Sequence, residues 1–388
     1  MKKSILCLIF AFFSLFCFGF SVVPIGVSKA ETKTENFNVT AKSALVIEYE
    51  TGTVVFEKNS TERLPIASMT KLATLSIIFD AISKGIIKEN DIVNVSETAA
   101  AVGGSTAFLD AGSAYKVCDL IKTVVVASAN DSSVALAEHL AGTEEVFVSR
   151  MNKFAKSLNL QDTHFENCTG LPKENHYSSA QDMACIYKTI CNNELYKKYS
   201  KIWMDDFIHP SGRRTGLVNT NRLVKTFDGI EGGKTGYTDA AKFCLTASAK
   251  RGDMRLIGVV IGVEDSKTRF AEMSKLLNYG FSNFKNEVIA RSDVPVTVAR
   301  FANAKQQVLV YTKRDCVKFL NKTDETNFST DFKIDEISAP IKSGDVVGKL
   351  YVFDKNNMVV DEIDLIVKQN VEAVGFKELF GKLVSRWW

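Results

Sequence analysis

The chain has 388 residues, 46% of them hydrophobic and 24% charged, with a formal net charge of +3. That is room for two domains with appendages, and the composition of an ordinary globular protein rather than a disordered or membrane-embedded one. The excess charge sits at Lys2, Lys3 and Lys29; beyond residue 30 the chain has 45 basic and 45 acidic residues, so no nucleic-acid partner is expected.

At the N-terminus, Lys2 and Lys3 precede an apolar run from Ile5 to Val23, and Ser28-Lys29-Ala30 offers small residues where a signal peptidase inspects the chain. The run approaches spanning length, but Ser14, Gly19, Ser21, Pro24 and Gly26 break it. The expectation is an export signal over 1–30, cleaved after Ala30. Cys118, Cys168, Cys185, Cys191, Cys244 and Cys316 then remain, as thiols or in pairings that spacing does not resolve. There is no C-x-x-C, and His139, His164, His176 and His209 lack ligand spacing, so neither metal nor cofactor is expected.

After a polar linker, Ala44–Tyr49 and Thr53–Glu57 flank Glu50-Thr51-Gly52 and read as a β-hairpin. Pro65 punctuates the chain just before a predicted helix carrying Ser68 and Lys71, in which Leu72, Leu75, Ile78, Phe79 and Ile82 recur at helical spacing. Residues three apart share a helix face, so the Lys71 amine can reach the Ser68 hydroxyl. A serine needs a base to take its proton, and a desolvated lysine can serve. Alone, Ser-x-x-Lys is more often surface decoration.

From Tyr115 to Ala141 the pattern is helix, polar break, helix, with Ser128-Ala129-Asn130-Asp131-Ser132 as the break. Those residue types are also ordinary helix caps. Met151–Tyr196 reads as largely helical around a loop at 169–176. Gly232-Gly233-Lys234-Thr235-Gly236-Tyr237 is expected to lie just before a strand starting at Phe243; a second strand follows at Arg255 and a helix over about 269–279. Beyond Asn286 come short β-prone runs with polar turns, a small all-β domain without a catalytic constellation. In the last nineteen residues Phe376, Leu379, Phe380, Leu383, Val384 and Trp387 form one helical stripe, with Lys377, Lys382 and Arg386 elsewhere. A basic, aromatic-rich helix of this kind suits a lipid headgroup boundary, although docking on its own domain is the usual alternative.

Ser68-x-x-Lys71, Ser128-x-Asn130 and Lys234-Thr235-Gly236 are each weak signals. Ser113-x-x-Lys116 and Ser157-x-Asn159 match the first two patterns equally well and read as decoration. In this order and these settings, however, the trio is the signature of penicillin-binding proteins and class A β-lactamases. The chain resembles serine-type D-alanyl-D-alanine carboxypeptidases, the low-molecular-mass penicillin-binding proteins. The likeness extends through Pro65–Lys71, Gly103-Gly104-Ser105, Thr163-His164-Phe165, Gly170-Leu171-Pro172, Asn219–Arg222, Asp228-Gly229-Ile230 and Met254–Ile257 to the amphipathic tail.

The resemblance implies an α/β (α+β) transpeptidase domain like that of penicillin-binding proteins and serine β-lactamases, an antiparallel sheet flanked by a helical cluster. A small all-β domain and a C-terminal amphipathic helix follow. The expected boundaries are 1–30 for the signal, 31–286 for the peptidase, 287–369 for the all-β domain and 370–388 for a membrane-anchoring helix.

It also implies roles. Ser68 is acylated, Lys71 takes its proton, and Ser128 relays a proton to the leaving amine. Asn130 positions the substrate amide and Lys71. Lys234 keeps the site electropositive, while Thr235 and Arg269 receive the terminal carboxylate, although a solvated surface arginine is the ordinary reading of Arg269. Gly236 completes the third motif, and the Ser68 and Tyr237 amides form an oxyanion hole. Ala129 stands where the family more often has glycine, and Tyr237 where histidine also occurs. The implied partners are peptidoglycan stem peptides ending in D-Ala-D-Ala, β-lactams as covalent inhibitors, and the outer face of the cytoplasmic membrane. A β-lactamase is the rival enzyme, disfavoured by the extra β domain and by the absence of a clear deacylating carboxylate, since Glu166 reads as a surface residue. A non-catalytic wall-binding protein is the rival without chemistry, disfavoured by the intact reacting groups.

Overall fold

The computed structural model describes residues 38–324 and 327–375. The expected export signal, and the helical stripe that starts at Phe376, lie outside the described residues. The first domain begins with strands β1 (Ser43–Glu48) and β2 (Val54–Lys58), followed by α1 (Lys71–Ser83), β3 (Ile92–Asn94), α2 (Glu97–Ala101) and β4 (Ala114–Lys116). Helices α3 (Val117–Ala127), α4 (Asn130–Ala141), α5 (Glu144–Ser157), α6 (Ala180–Ile190) and α7 (Glu194–Ser200) come next. The hairpin β5 (Met204–Ile208) and β6 (Arg214–Val218), the short α8 (Leu223–Thr226), then β7 (Ile230–Thr238), β8 (Lys242–Arg251), β9 (Met254–Val263) and α9 (Ser266–Asn283) complete it.

The main sheet runs β2-β1-β9-β8-β7, with every neighbouring pair antiparallel. Side chains on a strand alternate between faces. Here Leu45, Ile47, Ile257, Val259 and Ile261 face the helical core built around α1, α3, α4 and α6. Ala44, Val46, Leu256 and Val260 face the other way, onto α9. Both faces are therefore covered, and all ten residues of β9 are buried, which is why it reads as one apolar run. Gly258 and Gly280 let α9 settle against the sheet: a Cβ on Gly258 would fall 2.5 Å from the Met273 sulfur, and one on Gly280 2.5 Å from Leu256.

Helix α1 is the axis of the helical core. Leu72, Ala73 and Leu75 are fully buried, and so are Lys71 and Thr74 on the same two turns. Those first turns, enclosed on all sides, have no polar face to give to solvent, so their polar residues need internal partners. Thr74 donates to the Cys168 carbonyl at 2.7 Å.

Several expectations change. Between Ser157 and Ala180 the chain is not helical but wraps back across α1. The β5–β6 hairpin was not anticipated. The six cysteines from Cys118 to Cys316 are free thiols, and Cys168, Cys191, Cys244 and Cys316 are buried. Among the described residues no helix is long and apolar enough to cross a membrane.

The all-β unit has β10 (Phe284–Ala290) paired with β13 (Cys316–Asn321), and a five-stranded sheet. Its members are β11 (Pro295–Ala299), β12 (Val308–Thr312), β14 (Ser329–Ile334), β15 (Val346–Phe353) and β16 (Val359–Val367), in the order β11-β12-β16-β15-β14. Val310, Val347, Leu350, Ile363 and Leu365 belong to its separate core. Removing the Met273 side chain, fully buried between α9 and the main sheet, leaves a cavity that rigid strands cannot close. Met273→Ala is expected to lower stability by about 2–5 kcal/mol, read by calorimetry as an earlier unfolding transition.

Candidate active site

Ser68 is not the first residue of an α-helix. It lies in a 3-10 turn, Ala67–Thr70, that runs into α1. In that tighter turn residues three apart eclipse, so Lys71 stands directly over Ser68 with Nζ 2.9 Å from Oγ. Ser68 is half-buried and reachable, whereas Lys71 is fully buried and donates to the Thr169 carbonyl at 2.7 Å. Burial pushes the Lys71 pKa down to about 7, against the smaller opposing pull of Cys168 and Asp131. Near neutral pH a large fraction of the amine is therefore uncharged, with its lone pair within reach of the serine proton.

Ser128 forms the opposite wall. It ends α3 in the left-handed region at φ +65°, which turns its hydroxyl out of the helix line. Lys234, 1% exposed, donates to Ser128 Oγ at 2.8 Å and to the Thr235 carbonyl at 2.9 Å. Burial holds the Lys234 pKa well below its ordinary value, and the positive charges of Lys71 and Arg269 push the same way. Ala129 has φ −62° and ψ 120°, so alanine meets no strain where the family more often has glycine. The left-handed residue of this turn is Ser128.

Asn130 opens α4 and is fastened to the 103–105 loop: its Nδ2 donates to the Gly103 carbonyl at 2.6 Å and its backbone N–H to that of Ser105 at 2.7 Å. Gly104 leaves the room, since a Cβ there would fall 2.7 Å from Asn130 Nδ2. Asn130 Oδ1 is buried and has no hydrogen-bond partner among the described residues. The next residue, Asp131, accepts the Ala107 and Leu109 amides at 3.0 Å and pins that loop.

Lys234-Thr235-Gly236 lies just ahead of β8, as expected, but it is itself part of a strand, β7, at the edge of the main sheet. Gly232, Gly233 and Gly236 disguise it, because glycine is depleted from strands except where another backbone comes close. That is the situation here. A Cβ on Gly236 would fall 2.6 Å from the Ile66 carbonyl and 3.3 Å from the Ser68 nitrogen, so the strand lies against the nucleophile turn. Thr235 is 6% exposed, whereas Tyr237 is half-exposed, packs on Phe243 with centroids 4.4 Å apart, and donates to Asp239.

Arg269 is not a solvated surface residue. It is buried behind β7, donates at 3.3 Å to the Gly236 and Cys244 carbonyls, and lies over Phe270. Its Nε is buried without a partner, and burial lowers its pKa to about 10, which leaves it charged at neutral pH.

The third wall left no motif in the sequence reading. The loop of residues 167–170 presents a peptide carbonyl to Lys71, and Gly170, at φ +85°, fits only because a Cβ would overlap the Ala67 carbonyl. Asn167 Oδ1 holds the loop by accepting the Thr169 and Gly170 amides, and Glu144 accepts the Cys168 amide at 2.9 Å. A carbonyl has no side-chain signature; the only trace was the short Gly170-Leu171-Pro172 likeness. Glu166 is half-buried and lines a separate surface depression with Glu145, His164 and Lys173.

Comparison with known proteins agrees along the chain. Residues 29–265 match the D-alanyl-D-alanine carboxypeptidase family, and residues 284–373 match the C-terminal domain of penicillin-binding protein 5. The chain is 40% identical over 368 residues to D-alanyl-D-alanine carboxypeptidase DacF of Bacillus subtilis, covering 94% of each. It is 33% identical to DacC of Escherichia coli over 364 residues, 91% of this chain and 89% of that one. Among solved structures, penicillin-binding protein 5 of Haemophilus influenzae superimposes with a TM-score of 0.69 at 30% identity, covering 86% of this chain and 98% of the other. With its fold and its second domain both shared, the chain belongs to the D-alanyl-D-alanine carboxypeptidase family, penicillin-binding serine enzymes of the cell wall.

Proposed function

We propose that this chain removes the terminal D-alanine from peptidoglycan pentapeptide stems through an ester on Ser68. The observation that carries the assignment is the Ser68–Lys71 pair, 2.9 Å apart, with the lysine fully desolvated. Ser68 Oγ attacks the carbonyl between the two D-alanines while its proton passes to Lys71. The oxygen of the tetrahedral intermediate lies between the Ser68 and Tyr237 amides, each worth ~3 kcal/mol of transition-state stabilisation. As the C–N bond breaks, Ser128 hands its proton to the departing amine and regains the one that Lys71 took from Ser68, with Lys234 alongside at 2.8 Å. Water then splits the ester and a proton returns to Ser68.

Asn130 Oδ1, without a protein partner, accepts the substrate amide. Thr235 and the charge of Arg269 hold the terminal carboxylate, Arg269 acting at the Gly236 end of β7. A β-lactam carries the same carbonyl and carboxylate and is captured at Ser68 as a long-lived ester. The peptide carbonyl of Thr169 occupies the approach to Lys71, and among the described residues no carboxylate is bonded to that amine to activate a deacylating water, which favours a carboxypeptidase over a β-lactamase.

The same reading divides the chain into a signal over 1–30, the peptidase over 31–286, the all-β unit over 287–369 and an anchor over 370–388. The stripe from Phe376 to Trp387, with its basic flanks, supports peripheral attachment to the outer face of the cytoplasmic membrane.

Wild-type protein incubated with diacetyl-Lys-D-Ala-D-Ala is expected to release D-alanine, and Ser68→Ala to lose at least about 10³-fold of that rate. Absence of release by wild type, or rapid penicillin turnover, would sink the carboxypeptidase reading. Because Lys71 acts as a neutral base, kcat/KM is expected to rise about tenfold per pH unit below neutrality, and to level off above the Lys71 pKa of about 7. A flat profile from pH 5 to 8 would remove Lys71 as the base. Truncation before Phe376 is expected to abolish co-sedimentation with anionic phospholipid vesicles while leaving hydrolysis of the soluble peptide intact.

A further inference from the structure

Behind the nucleophile turn lies a chain of hydrogen bonds that the proposed chemistry does not use. His176 is 5% exposed, on the loop between α5 and α6, with its ring edge-on to Phe165. Its Nδ1 receives the backbone N–H of Glu166 at 3.2 Å, so that nitrogen carries no proton. The proton therefore sits on Nε2, 2.7 Å from Thr70 Oγ1, and His176 is the donor. The one hydroxyl proton of Thr70 goes onward to the Ala67 carbonyl at 2.8 Å. Every member has a single available direction. Burial keeps the ring neutral, with a pKa near 4, and His164 and Lys71 act in the same sense.

The end of this relay is what matters. The Ala67 carbonyl and the Ser68 N–H belong to one peptide plane and point in opposite directions. Holding the carbonyl from behind aims the amide forward, past Gly236 on β7. The plane needs holding, because Ala67 sits at φ +48°, a region that non-glycine residues avoid unless the surroundings impose it. Thr70 Oγ1 and the close approach of Gly170 both meet its carbonyl, in addition to the backbone of the 3-10 turn itself.

We propose that His176 is a positioning residue for the oxyanion hole: acting through Thr70, it fixes the Ala67–Ser68 peptide so that the Ser68 amide faces the reacting carbonyl. This rests on the reading of Ser68 as nucleophile and oxyanion donor. It predicts an effect on the rate of bond formation and not on substrate binding, since the relay touches no substrate.

The test is stopped-flow acylation of the full chain by a fluorescent penicillin, resolving the non-covalent dissociation constant from the acylation rate constant, with melting temperature recorded for each variant. His176→Leu and Thr70→Val are each expected to slow acylation about 10- to 100-fold, with the dissociation constant unchanged. His176→Gln, whose amide can donate to Thr70 and accept from Glu166, is expected to stay within about threefold of wild type. The double variant His176→Leu/Thr70→Val is expected to be no slower than either single one, because both break the same relay. Wild-type acylation rates in folded Thr70→Val, a loss confined to the dissociation constant, or His176→Gln as slow as His176→Leu would each overturn the proposal. If His176→Leu does not fold, Thr70→Val and His176→Gln carry the test. Failure of the wild-type chain to form the Ser68 ester would overturn the nucleophile assignment as well.

Discussion

Two primary amines taken out of water within one cleft are the constraint on which the rest of the site depends. Lys71 and Lys234 are both buried, and among the described residues neither has a carboxylate bonded to its amine. An unpaired buried ammonium is expensive, and a protein that keeps one lets its pKa fall. The fold uses that response. In the proposed mechanism Lys71 becomes a base working near neutral pH; Lys234 donates its hydrogens to Ser128. Peptide carbonyls and serine hydroxyls are the right partners because they satisfy an amine without restoring its charge. An aspartate at the position of Thr169 would hold the Lys71 proton in place and remove its basicity.

That dry cleft exists because three stretches of backbone meet at the nucleophile turn. Gly236 brings β7 against Ser68 from one side and Gly170 brings the 167–170 loop against Ala67 from another. Any side chain at either position would hold the walls apart and admit water. The turn itself is strained at Ala67, and Thr70, with His176 behind it, holds the strained peptide.

An edge strand is an exposed place to build a catalytic wall, and β7 is braced from its far end. Glu231 forms a two-pronged ion pair with Arg255 of β9 at 2.7 and 2.9 Å, and its carbonyl accepts from Ser200 at 2.6 Å. Tyr187 reaches Ser248 of β8 at 3.1 Å, tying the same corner to the helical core. These contacts hold β7 in register against β8, so that Lys234, three residues from Glu231, meets Ser128 and not its neighbours.

Much of this was legible in residue order. Apolar periodicity placed α1, the polar break at 128–132 fell between two helices although only Ser128 and Ala129 lie outside them, and β-prone runs marked the second domain, because burial demands those patterns locally. Ser68, Lys71, Ser128 and Lys234 were identifiable because the family's chemistry needs those side chains at those spacings. Other features were not legible. The 3-10 turn at Ser68 and the strand through Lys234-Thr235-Gly236 run against local propensity and are imposed by packing. Arg269 reads as a surface residue until α9 folds it behind β7, and Thr169 contributes only a carbonyl, which every residue possesses. The sequence by itself determined which reacting groups exist and which family they belong to. Tertiary structure alone decided how dry the cleft is, which carbonyl faces Lys71 and which way the Ser68 amide points, because those depend on backbone approaching backbone across a hundred or more residues of chain.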